Sequence, residues 1–445
     1  MKTLIKNPLI INENRTFTGS VLIENDKISA IYEDEIPQEI QAGKIIDAKG
    51  KWLIPGVIDD HVHFREPGLT HKGDFFSESR AAVAGGVTSV MDMPNTIPQT
   101  ITNGLLELKR ALAEQHCLTN FAFYLGATNE NIDEILCANP QNVCGLKLFM
   151  GSSTGNMLVN DRKTLERIFA ESPLLIATHN EDEEIIKANA EHYRKLLGEN
   201  IPFSYHPKIR SEEACYRSTA FAVELAEKAG ARLHVLHLTT AKELSLFSDV
   251  PLSEKRITAE TCVHYLWFDD RDYARLGSRM KCNPAIKTKQ DKDALIEALN
   301  SHKIDIVATD HAPHTLAEKA GTYFKAMSGT PQVQHSLNIM LELAKQGFLT
   351  KENVVEKMCH APAKLFGIKN RGFIREGYFA DLALVSPQKS WIATDENSLS
   401  KCAWTPYNEQ AFTTKVSHTF VNGNLVFEEG KFNEKSRGMG LVFER

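Results

Sequence analysis

The chain has no run of about 18 apolar residues, so nothing in it is long enough for a membrane-spanning helix. Its start, MKTLIKNPLIINENRTFTGS, lacks the apolar core and small-residue cleavage site of a signal peptide, which makes a cytoplasmic location the expectation. Positive charge is not in excess. Lys and Arg number 51 against 57 Asp and Glu, for a net charge of −6, and this argues against a nucleic-acid surface. Paired cysteines are also missing. The eight, Cys117, Cys137, Cys144, Cys215, Cys262, Cys282, Cys359 and Cys402, are scattered without paired spacing, which fits reduced thiols, mostly core filler, better than a disulfide framework or a cysteine zinc site. There is no low-complexity segment and no short repeat. What remains is 445 residues of ordinary composition, 42% hydrophobic and 24% charged. That is too long for one small core, so it suits either a large barrel with an appendage or two to three ordinary domains.

The patterning changes along the chain. The first 55 residues and the stretch from 368 to 445 read as short strands broken by turns, as in SVLIENDKISAIYED, ADLALVSP and HTFVNGNLVFEEGKF. Neither end has strands enough for a stable sheet alone, so a composite β-sandwich domain built jointly by 1–55 and 368–445 is expected. Between them, 56–367 alternates short apolar runs with longer helical segments. The runs GVIDDHV, GVTSVMDM, NFAFYLGA, CGLKLFM, LLIATH, RLHVLHL, RITAETC and KIDIVATD make eight βα units, which predicts an α/β fold of the (β/α)8 TIM-barrel type.

In such a barrel the catalytic groups sit at the C-terminal ends of the strands. On this reading His61 and His63 end strand 1, Asn95 follows strand 2, Lys147 lies in strand 4, His179 ends strand 5, His237 lies near the end of strand 6, and Asp310 follows strand 8. Residues two apart in a strand share a face, so His61 and His63 can grip one ion together, with Arg65 further along the same face. A single histidine at a strand end is usually structural. Four of them with an aspartate at one barrel mouth point to a metal site. His234, three residues before His237, reads as a structural residue on the opposite face. His71, His116, His192, His206, His302, His335, His360 and His418 read as surface or packing residues. Lys147 is unusual in an apolar strand. It either snorkels to the rim or, with its pKa depressed by burial, captures CO2 as an anionic carbamate that can bridge two metals.

The motifs GVIDDHVHFREPG, KLFMGSSTGNM, THNEDE, LHLTT, ETCVHY and TDHAPH, in this order, resemble the amidohydrolase superfamily and within it the dihydroorotases of pyrimidine biosynthesis. The resemblance spans essentially the whole chain. It implies a zinc-dependent hydrolase that reversibly cyclises N-carbamoyl-L-aspartate to L-dihydroorotate. It implies two Zn2+ per subunit, one held by His61, His63 and Asp310, the other by His179 and His237, with carboxylated Lys147 between them. Asp310 would act as general acid and base. Arg65, Asn95 and His314 would receive the substrate carboxylate, Asn283 would touch the ring, and the backbone at Ser328 and Gly329 would close over it. The partners it allows are a second copy, in a homodimer, and aspartate carbamoyltransferase.

Two departures stand out. Gly151, Ser152 and Ser153 occupy the region where one bacterial group carries a bridging aspartate, so any bridge must come from Lys147. Val263 precedes His264 where relatives often have proline, which leaves His264 between ring contact and ligand support. Relatives acting on hydantoins, dihydropyrimidines or allantoin share the metal ligands without an arginine at position 65. A cyclic amidase of that kind, or a silent barrel kept as a scaffold, are the alternatives.

Overall fold

The computed structural model describes residues 2–33, 36–38, 40–151 and 157–445. Eight parallel strands, Val57–Val62, Val87–Asp92, Asn120–Gly126, Gly145–Phe149, Ile176–His179, Leu233–Val235, Ile257–Cys262 and Ile306–Ala308, follow one another in sequence order around a barrel. All eight expected apolar runs are therefore strands. Nearly every residue in them is buried, as befits parallel strands covered on both faces. The seam between the first and last strands is narrow. It is closed by a bridge between Val62 and His311, by the His63 N–H donating to His311 O at 2.7 Å, and by the Thr309 hydroxyl donating to Asp59 at 2.6 Å.

Below the mouth the barrel is a packed core. Ile58, Met91, Tyr124, Leu175, Leu236 and Ile306 meet Phe366, Leu441 and Phe443 there. The helices that surround it start on side-chain caps that satisfy otherwise free N–H groups, including Asp74, Asp182, Ser211 and Thr288.

A four-stranded sheet comes entirely from the beginning of the chain: Lys2–Lys6, Ser20–Glu24, Lys27–Tyr32 and Lys44–Asp47. A seven-stranded sheet joins the two ends, because Trp52–Pro55 lies between Leu9–Asn12 and Leu382–Ser386, the latter paired in turn with Lys415–Val421. The sheets share an apolar layer of Ile5, Ile10, Val21, Leu53, Leu382, Leu384 and Phe420. One excursion of the C-terminal part returns to the barrel mouth, where fully buried Trp404 donates its indole N–H to His314 O at 2.7 Å.

A buried ion pair fixes the backbone at the end of the first strand. Asp92 accepts the Phe64 N–H at 2.6 Å, and its other oxygen lies 2.5 Å from Lys109 Nζ, with both side chains about 1% exposed. Phe64 separates His63 from Arg65, so this pair sets the spacing of two mouth residues. Replacing Lys109 by Met leaves the aspartate charge alone in the core. The expected cost is about 3–5 kcal/mol, read as a lowered urea midpoint. A loss below about 1 kcal/mol, as for a surface pair, would refute that role.

Candidate active site

The mouth holds a cavity of about 640 Å³. The structure brings twelve sequence-derived candidates to its wall: His61, His63, Arg65, Asn95, Lys147, His179, His237, Asn283, Asp310, His314, Ser328 and Gly329. Several get there by an unusual backbone. Arg65, His237 and Asp310 have φ of 72°, 43° and 47°, in the left-handed region that non-glycine residues seldom adopt. Each lies just past a strand end, where the turn swings the side chain across the mouth. Such strain costs about 1–3 kcal/mol per residue and concentrates at functional sites.

Two groups of donors face each other. In the first, Asp310 Oδ1 lies 3.3 Å from His61 Nε2 and 3.1 Å from His63 Nε2. The opposite ring nitrogens are engaged as well, His61 Nδ1 with Glu260 at 3.0 Å and His63 Nδ1 with Asn95 Oδ1 at 2.7 Å. A neutral imidazole has one N–H and one lone pair. With the N–H spent on Glu260 or Asn95, the two Nε2 lone pairs and the Asp310 carboxylate converge, acceptor against acceptor, which a cation between them would stabilise. Burial pushes His63 down to about 4, into the neutral form that ligates metals. In the second group, His179 Nε2 lies 3.0 Å from Glu181, which is itself paired with Arg210. His179 Nδ1 then faces His237 Nε2 at 2.9 Å, again two imidazole nitrogens turned on one point.

Lys147 lines the same space. Burial lowers its amine to about 8, only partly offset by Asp310 and Glu260, so a substantial fraction is neutral and nucleophilic near that pH. Asp310 is opposed by two influences. Burial alone would raise its pKa, but positive charge on His61, whose own pKa Glu260 and Asp310 raise against the lowering effect of burial, and a hydrogen bond from a protonated His63 hold the carboxyl well below the usual range; a cation between the rings would take the place of those protons.

The far end of the cavity is cationic. Arg65 donates from Nε to Pro313 O at 3.1 Å, and its Nη2 lies 3.2 Å from His314 Nε2. Burial, with Arg65 and Lys72 adding to it, holds His314 far below the ordinary histidine pKa, so the ring is neutral. Gly329, at φ 136°, donates its N–H to Lys281 O at 2.9 Å, and a Cβ there would come within 2.6 Å of Ala312 O. Lys319 pins the segment by donating to Lys281 O, Met327 O and Gly329 O at 2.8–3.0 Å. The Asn283 side-chain oxygen is buried without a hydrogen-bond partner among the described residues. His264 is buried with both ring nitrogens unpartnered among those residues and does not line the cavity.

Two expectations need correction. Arg65 does not continue the strand face, because the strand ends at Val62 and the backbone reverses at Arg65. His234 does not face away from the site. Its strand ends at Val235, and His234 points into the barrel, 3.3 Å from Asp60 and 3.7 Å from Glu260, while the His237 N–H donates to the same glutamate. Ser152 and Ser153 lie outside the described residues. Sequence reasoning also missed Glu260, Glu181, Arg210, Lys72 and Lys319, all buried and all orienting a residue of the mouth. The only available signal was a charged residue beside a motif histidine, as in ETCVHY and THNEDE.

Comparison with known proteins agrees with this geometry. The model of the amidohydrolase family matches residues 52–426. The chain is similar to a dihydroorotase of Methanosarcina acetivorans, 32% identical over 99% of this chain and 95% of that protein. It is also similar to an allantoinase of Solibacter usitatus, 32% identical over 98% and 96%. Among solved structures, the L-hydantoinase (dihydropyrimidinase) from Arthrobacter aurescens matches with a TM-score of 0.92 and 28% identity, covering 97% of each chain.

Proposed function

The chain belongs to the amidohydrolase family, as a hydrolase of cyclic amides, and from that premise we propose that it is a zinc-dependent dihydroorotase of de novo pyrimidine (UMP) synthesis. The observation that carries the substrate assignment is Arg65. A guanidinium on the cavity wall, beside neutral His314 and without a carboxylate partner among the described residues, suits a substrate that brings its own carboxylate. Dihydroorotate carries one; hydantoin and dihydrouracil do not.

The donor set fits zinc, which takes imidazole and carboxylate ligands. In this reading His61, His63 and Asp310 would hold one ion and His179 and His237 the other, and Lys147, if carboxylated, would supply an anionic ligand to them. The ions would supply a water of lowered pKa and polarise the ring carbonyl. The chain's own groups do the rest. Glu260 and Glu181 fix the imidazole orientations. Arg65, His314 and Asn95 hold the carboxylate, while Asn283 and the backbone at Ser328 and Gly329 locate the ring. Asp310, ionised at neutral pH, takes the proton of the attacking water and passes it to the leaving ring nitrogen. Ring closure of N-carbamoyl-L-aspartate runs the same steps backwards.

The test is hydrolysis of L-dihydroorotate followed by ultraviolet absorbance, with zinc and bicarbonate present, beside hydantoin, allantoin and an Arg65→Met variant. The expected result is turnover of dihydroorotate, with kcat/KM about 10²-fold lower in the variant, the loss of charge-assisted hydrogen bonds. Turnover of hydantoin or allantoin instead would assign another cyclic amide, and no turnover by zinc-loaded protein would favour a silent barrel.

A further inference from the structure

We propose that Lys319 is a positioning residue that locks together the two backbone segments on the ring side of the cavity; the inference deepens the dihydroorotase reading and rests on it for the substrate.

Lys319 ends the short helix Leu316–Lys319, which begins two residues after His314, and is 2% exposed. Its Nζ donates to Lys281 O at 3.0 Å and to Met327 O and Gly329 O at 2.8 Å. These carbonyls belong to two stretches far apart in sequence. Lys281 leads into Asn283, while Met327 and Gly329 flank Ser328, and Asn283, Met327, Ser328 and Gly329 all line the cavity. The stretches also meet directly. Gly329 donates its N–H to Lys281 O at 2.9 Å, and Lys281 Nζ donates to Tyr323 O and Ala326 O at 2.7 and 2.6 Å. Lys281 O thus receives two donors, the full capacity of a carbonyl.

Burying an amine is costly, and all the hydrogen-bond acceptors of this one are backbone carbonyls, so what the burial secures is the course of the backbone. Burial lowers its pKa to about 7, and both forms serve: the ammonium has three N–H groups for the three carbonyls, the neutral amine two. The consequence lies at Ser328. Its own N–H and C=O have no hydrogen-bond partner among the described residues, while Lys319 holds the carbonyls on either side. A cyclic amide brings an N–H and a C=O, the complement of that free peptide unit. Without Lys319 three carbonyls lose a donor, and the segments shift to find others. Lys319 bonds to none of the strands that carry His61, His63, His179 and His237, so the loss falls on ring binding and spares the metal ligands.

The experiment compares wild type, Lys319→Met and Lys319→Gln by calorimetry with orotate, a pyrimidine carboxylate, by turnover of cyclic amides and by metal content. For Lys319→Met the expected result is an orotate Kd and a dihydroorotate KM each raised about tenfold, with kcat changed less than about threefold and metal content unchanged. Lys319→Gln, which keeps two N–H donors, shows smaller changes of the same kind. A Kd and KM equal in wild type and Lys319→Met overturn the inference. So does a joint fall of metal content, kcat and thermal midpoint, or failure of both variants to fold, because each makes the lysine purely structural. If wild type hydrolyses hydantoin or allantoin in place of dihydroorotate, the proposed activity fails, and a tenfold rise in KM for that substrate in Lys319→Met still upholds the role of Lys319.

Discussion

Asp310→Asn is expected to lower kcat by about 10³-fold while the protein keeps its fold and its thermal midpoint. Asp310 follows the last barrel strand, and its left-handed backbone carries the carboxylate to within 3.3 Å of both His61 Nε2 and His63 Nε2. An asparagine oxygen can still occupy the ligand position, so the lesion falls on proton transfer. An amide takes up no proton at neutral pH, and the attacking water loses its base while the ring nitrogen loses its acid. General acid–base catalysis is worth about 10²–10⁴-fold, and in the proposed reaction one carboxylate would serve both halves. The measurement is kcat at saturating dihydroorotate with metal content determined on the same samples. A variant with full metal content and more than a tenth of wild-type turnover would remove Asp310 from the proton path.

Lys147→Ala is expected to be at least as damaging, and in a different way. Lys147 is 1% exposed in the strand Gly145–Phe149, with its amine lowered to about 8 by burial. If the side chain serves as a carbamate, the substitution removes the only anion shared by both halves of the site, and bound metal should drop below two per chain along with activity. Wild-type protein prepared without CO2 should show the same deficit and regain activity with bicarbonate; the alanine variant should not respond. If Lys147 instead merely snorkels, the variant keeps its metals and its activity, and bicarbonate makes no difference.

The barrel was legible because parallel strands buried on both faces leave continuous apolar runs, and the mouth was legible because histidines stand out at their ends. Three things were not. Left-handed turns at Arg65, His237 and Asp310 leave no mark in the sequence, since glycine is the residue that usually signals such a backbone. That is why Arg65 was expected on the strand face and His234 on the outside. Groups that orient a ligand were also hidden. Glu260 lies in the strand Ile257–Cys262 and Arg210 follows the short helix His206–Ile209, and neither has a periodicity that distinguishes it from an ordinary charged residue. Lys72 sits in a turn-rich stretch, GLTHKGD, where a lysine is normally solvated. Its burial is decided by Glu318 and His314, more than 240 positions away.

The pairing of Trp52–Pro55 with Leu382–Ser386 imposes an order in time as well as in space. At about 5–20 residues per second, a ribosome that has released the first of these strands needs on the order of 15 to 70 seconds to deliver the second. Throughout that interval the nascent chain carries a strand with one unmatched edge, a template for wrong partners. The four-stranded sheet, drawn from the first 47 residues, needs nothing made later to pair its strands. It is placed to fold while the barrel is still being made, shelter the apolar side of the waiting strand, and keep the nascent protein from its neighbours.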